Sequence, residues 1–106
     1  MPLTHDFKET VRSRALKDPA FREALLREGI EAFVSGDMET GKSVIRDYIN
    51  ATIGFEALAK ATHTPPKSLM RQFGPNGNPQ ARNLFAVLGY LQQQAGLRFE
   101  LHQAKR

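Results

Sequence analysis

Three groups of residues in this 106-residue sequence have types and spacings that could do chemistry. The first is Gly36-Asp37-Met38-Glu39-Thr40-Gly41-Lys42-Ser43, which satisfies the phosphate-loop pattern G-x-x-x-x-G-K-[ST] letter for letter. That chemistry needs a strand entering the loop and a helix leaving it, so that backbone N–H groups and the lysine surround phosphates. The residues before Gly36 instead have helical spacing back to Asp18, and Asp37 and Glu39 would place two negative charges inside the nest. The competing reading is a turn between two helices, with Asp37 capping the second. The second group is Lys67 and Arg71, with Thr64, Ser68, Met70 and Gln72 around them. If Leu69 and Phe73 face a core, residues two positions away lie about 200° round the helix, so Lys67 and Arg71 project together from the outer side. Such a pair suits a helix lying in a DNA major groove, where Arg71 can bond guanine O6 and N7 and Met70 or the Thr64 methyl can meet a thymine methyl. The same spacing also describes a helical hairpin with a solvated basic face. The third group, His5, His63 and His102, is too scattered to hold a metal, and no serine or threonine sits in a nucleophile motif. No cofactor, metal or catalytic activity is expected.

The elements that must position these groups read as helices, because apolar residues recur at three and four rather than at two. A helix is predicted from about Asp6 to Leu16. Asp18-Pro19 then gives an N-cap followed by proline at the first helical position, opening a helix that runs to Gly36. A third helix spans about Asp37 to Thr52, with Val44, Ile45, Tyr48, Ile49 and Ile53 as its stripe and Gly54 as its end. Two short helices, Phe55 to Ala61 and Pro66 to Phe73, flank the tight turn Thr62-His63-Thr64-Pro65. The small Ala59 lets the second cross closely over the first. After the turn-rich Gly74 to Pro79, a last helix runs from about Gln80 to Gln94 and stops at Gly96. Leu97, Phe99 and Leu101 alternate with polar residues and predict one β-strand with a single apolar face, which would need a partner strand, either from a twin in a homodimer or from another protein. The expected fold is therefore mainly α, with a helical segment over 1–36 and a helix-turn-helix unit with a terminal strand over 37–106.

Composition bounds the function. The chain has no cysteine, 41% hydrophobic residues and a net charge of +4. These values exclude disulfides and thiolate chemistry, and no apolar run reaches the roughly 20 residues a membrane span requires. The amino end has no export signal, so a cytoplasmic location is expected. The charge is unevenly placed. Residues 1–36 carry six basic and six acidic side chains, whereas 37–106 carry nine and five, which places any polyanion contact in the second part.

Read in order, the pieces ALKDPAF, the Gly36-Asp37 pair, VIRDYINATIGFEALAKAT, KSLMRQF, the GNP of Gly77 to Pro79, NLFAVLGYLQQQAG and LRFEL form a series. From about Leu16 to Leu101 this series resembles the addiction-module antidote proteins, helix-turn-helix antitoxins related to phage-repressor-type regulators. The resemblance implies that Gly36-Asp37 falls between helices and that Pro66 to Phe73 is the recognition helix, with Lys67, Ser68 and Arg71 contacting bases or phosphates. It also implies that Asn76, Asn78 and Arg82 form an edge against the DNA backbone. Two departures stand out: the family often has glycine where His63 stands, and Ser-Arg where Pro65-Pro66 stand, so a base contact from an arginine there is lost. By the same resemblance the protein is an antitoxin that represses its own operon and neutralises a small RNA-cleaving toxin, with double-stranded operator DNA as partner and a homodimer formed through Leu97, Phe99 and Leu101. The rival readings are a solitary regulator without a toxin, an interaction module that does not touch DNA, and a nucleotide-binding enzyme.

Overall fold

A computed structural model describes residues 5–104, with side chains from residue 10 onward, so the side chain of His5 lies outside the described residues. The fold is mainly α: α1 (His5–Lys17), α2 (Pro19–Val34), α3 (Met38–Ala51), α4 (Phe55–Thr62), α5 (Pro66–Gln72) and α6 (Ala81–Ala95). Each starts and stops for a local reason. Asp18 accepts from the N–H groups of Ala20 and Phe21, and Pro19 occupies the first helical position where its missing N–H is harmless. Gly54 turns the chain out of α3 and Gly96 out of α6, both at positive φ, where glycine lacks the Cβ that would clash.

α2 and α3 form an antiparallel hairpin held at unusually close range. A Cβ at Gly29 would strike the Ile45 side chain, and one at Gly41 would strike the Phe33 ring, so a glycine at each end of the crossing lets the other helix's side chain fill the space. The α2–α3 turn contains the 36/37 boundary. α1 closes over this pair, and Arg22 on α2 fastens it by donating from Nη1 to the Ala15 carbonyl at 2.7 Å. α4 packs on α5 and α6, and one cluster of buried apolar side chains runs from Ala15 through Ile45 and Leu58 to Leu91. α3 is therefore the shared element, lying against α1 and α2 on one side and α4 on another.

The strand predicted over Leu97 to Leu101 is not formed. Among the described residues there is no strand, and two N–H groups of the tail after α6 are bonded inside the chain. The Leu97 N–H returns to the Gln92 carbonyl, closing α6, and the Phe99 N–H donates to the Gln92 Oε1 at 2.8 Å. Leu97 and Phe99 pack against the chain's own core, while Leu101 is 83% exposed. Of the three residues in the alternation, Leu97 and Phe99 turn inward to the chain's own core and Leu101 does not, and a glutamine side chain takes the Phe99 N–H that a ladder would have used.

Two glycines with opposite surroundings test the packing. At Gly77 a Cβ would run into the carbonyl oxygens of Arg71 and Gln72, whereas at Gly89, inside α6, it would meet open space. Gly77→Ala should cost about 1–3 kcal/mol through forced backbone movement. Gly89→Ala should stabilise by about 0.5–1 kcal/mol by restricting the unfolded chain. Urea unfolding of both variants checks the contrast, and equal effects would contradict the described approach of the loop to α5.

Candidate functional site

The site is built from α4, α5, the loop that follows, and the start of α6. Leu58 and Ala59 on α4 and Leu69 and Phe73 at α5 are all buried, which fixes the rotation of both short helices. Between them His63 adopts φ 55° and ψ 41°, a left-handed conformation that glycine accepts more readily, and the Thr64 N–H closes the turn on the Ala59 carbonyl at 3.0 Å. Pro65 and Pro66 then start α5, where a proline costs no helical bond. With Leu69 and Phe73 turned inward, Lys67, Met70 and Arg71 are exposed, as the helical wheel predicts.

The other proposed contacts divide. Asn76, Asn78 and Arg82 are exposed on the loop and on the first turn of α6, on the same segment as the α5 edge. Thr64, Ser68 and Gln72 are only half exposed and already bonded. Thr64 Oγ1 donates to the Thr62 carbonyl, and a chain of side-chain bonds runs from Asn83 Nδ2 to Gln72 Oε1 and from Gln72 Nε2 to Ser68 Oγ, at 3.1 and 3.2 Å. This chain ties α6 to the outer flank of α5, so Gln72 and Ser68 brace the helix that carries Lys67 and Arg71.

Electrostatics concentrate here. From Ala57 to Phe99 the sequence contains no aspartate or glutamate, while Lys60, Lys67, Arg71, Arg82 and Arg98 fall within that span. Lys60, Lys67, Arg71 and Arg82 have no carboxylate within ion-pair distance among the described residues. No ion pair at contact distance neutralises them, which favours a surface that attracts a polyanion.

Sequence reasoning missed the residues that hold the loop. Lys42 is 3% exposed, and its Nζ donates to the Gly77 carbonyl at 2.7 Å and lies 3.5 Å from the Pro75 carbonyl, with Glu39 as ion-pair partner at 3.3 Å. One turn later, Arg46 donates from Nη1 to the Phe73 carbonyl at 2.7 Å. The signal was present: Lys42 lies three residues before Ile45 and seven before Ile49, so it continues the apolar side of α3 where an exposed cation has no place.

The same geometry settles the local structure of the phosphate-loop pattern. Gly36, at φ 93°, makes the turn after α2, Asp37 accepts the Thr40 N–H at 3.2 Å as the cap of α3, and Gly41 is covered by Phe33. The pattern's lysine points inward to carbonyls. A groove of about 530 Å³ lies between α2, the end of α3 and α6, and includes Arg22, Glu23 and Tyr48, whose phenol is pushed up in pKa by burial. No group of three metal-binding side chains occurs among the described residues. Comparison with family models, curated proteins and solved structures finds no match.

The Asp37 cap gives a pH test. Its carboxyl is held below the ordinary aspartate value of 3.8 by hydrogen bonding from Thr40, through the side chain and then the backbone N–H. A depressed value means that the cap's stabilisation is full above the ordinary value and is lost as pH falls through the folded one. The stability gap between the parent and Asp37→Ala, measured by thermal unfolding, should therefore shrink between about pH 5 and pH 3. A gap that is constant over that range would contradict the charged cap.

Proposed function

We propose that this protein is a sequence-specific DNA-binding regulator of the helix-turn-helix kind, with α5 as the helix that enters the major groove. The observation that carries the reading is the outward pair Lys67 and Arg71 on α5, set in a stretch from Ala57 to Phe99 without one acidic side chain. α4 crosses behind α5, the turn is three residues long, and the exposed Asn76, Asn78 and Arg82 supply polar groups at the height of the phosphate backbone. In this arrangement Arg71 and Met70 read bases, and Lys67 and Arg82 neutralise phosphates. One seven-residue helix reaches one half-site, so the proposal includes a homodimer on a two-fold operator, with Leu101 as apolar surface that each copy still offers.

The antitoxin role is the more specific part of the proposal and rests on the order of sequence motifs. In it the regulator represses its own operon and its partner is a small RNA-cleaving toxin, with the mixed-charge surface of α1 and α2 as the face left for that partner. Co-purification of the product of the adjacent reading frame supports this part, and a chain that binds its operator but retains no such product reduces the reading to a solitary regulator.

Arg71→Ala should lose about 1–3 kcal/mol on the specific operator and relax its sequence preference. Arg82→Ala should weaken binding to all sequences and lower the salt slope by about one. Fluorescence anisotropy over a salt series measures both, and the saturation point gives the number of copies per operator. If folded Arg71→Ala and Lys67→Ala chains bind as well as the parent, α5 is not the reading helix.

A further inference from the structure

The loop after α5 has a polarity that its own sequence does not dictate. Its inner side is carbonyl oxygen: Phe73 accepts from Arg46, and Pro75 and Gly77 both face the buried Lys42 ammonium. All peptide bonds are trans among the described residues, and in a trans peptide the N–H points opposite to the preceding C=O. The N–H paired with the Pro75 carbonyl is that of Asn76, and the N–H paired with the Gly77 carbonyl is that of Asn78. With both carbonyls drawn inward to one ammonium, both N–H groups are turned outward. Neither has an acceptor within the described chain, and both asparagine side chains are exposed beside them. The Gly77 N–H, by contrast, is consumed by the Gly74 carbonyl at 3.0 Å, so the outward donors are two alternate amides, spaced as a pair.

A cation buried this thoroughly is an expensive way to hold a loop, because an ammonium must be desolvated and supplied with acceptors. An apolar residue at position 42 would pack against the same helices but would leave the loop carbonyls free to turn outward. Outward carbonyls would present negative dipoles beside Arg82, where the proposed polyanion has to approach. Lys42 thus separates the loop's dipoles, oxygen inside and nitrogen outside, and the ammonium charge lies behind them.

We propose that Asn76 and Asn78 form a phosphate site through their outward N–H groups and that Lys42 is its positioning residue, fixing those groups from inside the fold without touching the ligand. The ligand chemistry is a phosphate oxyanion, and its source is the sugar-phosphate backbone of the duplex that α5 reads. This site rests on the DNA-binding reading for its source but not for its chemistry, so two titrations separate them.

In the first, ¹⁵N-labelled full-length chain is titrated with inorganic phosphate. The Asn76 and Asn78 amides should shift together, and Lys42→Met, with unchanged helical circular dichroism, should lose that response. In the second, duplex DNA from the protein's own promoter replaces phosphate. The same two amides should shift, and Lys42→Met should bind about tenfold more weakly to specific and unrelated duplexes alike, leaving their ratio unchanged, while the α5 amides still shift at saturation. Lys42→Arg, which keeps a buried donor, should restore the amide response and serves as the variant if the methionine chain does not fold. Shifts with phosphate but none anywhere with DNA would overturn the DNA reading and leave the site standing. Shifts on α5 with DNA while Asn76 and Asn78 stay still in both titrations would overturn the site. An amide response in Lys42→Met equal to the parent's, or one absent from a folded Lys42→Arg, would overturn the positioning role.

Discussion

A lysine ammonium removed from water must be given acceptors, and satisfying Lys42 ties α3 to the loop that follows α5. Its acceptors are not on its own helix but on the backbone at Gly77 and Pro75, more than thirty residues on, with Glu39 adding charge from the first turn of α3. Arg46 repeats the arrangement one turn later at the Phe73 carbonyl. α3 accordingly has two tasks. Ile45 and Ile49 close the core against α2 through the glycine-permitted approach, while Lys42, on that same buried side, and Arg46 beside it grip the end of α5 and the loop behind it. Removing the ammonium would leave strong acceptors without a donor, a cost of about 1–3 kcal/mol for such a group, which is a large share of a small domain's stability.

Most of this fold was legible in the sequence because local chemistry and periodicity agreed. The Asp18-Pro19 and Asp37 caps, the glycines at 54 and 96 and the three-four spacing of apolar residues located six helices within a residue or two of their ends. The turn at His63 was equally visible, although its left-handed backbone was not. What stayed hidden was long-range. The contact from Lys42 to Gly77 joins residues that no local pattern relates, and the lysine drew attention instead to a phosphate-loop motif. Gly77, read as a turn residue, is there because the loop backbone lies against the Arg71 and Gln72 carbonyls. The tail was misread for a related reason: alternation of Leu97, Phe99 and Leu101 marks a one-sided apolar segment, and it carries no information on whether that side meets a twin strand or the chain's own core. Asn83 showed no signal at all, since its role depends on α6 lying beside Gln72.

The proposed interface divides its tasks along this scaffold. Residues that would meet DNA, Lys67, Met70, Arg71, Asn76, Asn78 and Arg82, are exposed and make few bonds, while those behind them, Leu69, Phe73, Lys42, Arg46 and the Gln72-Asn83 pair, are buried or engaged. Such a layout keeps the contacting groups free to exchange water for phosphate or base while limiting the entropy lost on binding, because the backbone carrying them is already fixed. The +4 net charge is consistent with this division: it arises entirely after residue 36, and the acid-free span from Ala57 to Phe99 concentrates it around α5 and the start of α6.

A helix that reads bases must discriminate between DNA sequences. The most direct measurement is the affinity of the parent chain for its own promoter fragment, against a scrambled duplex of equal length and composition, at near-physiological salt. A regulator reading bases through α5 should prefer the promoter by roughly a thousandfold or more. Equal binding to the two duplexes, or no binding to either, would contradict it.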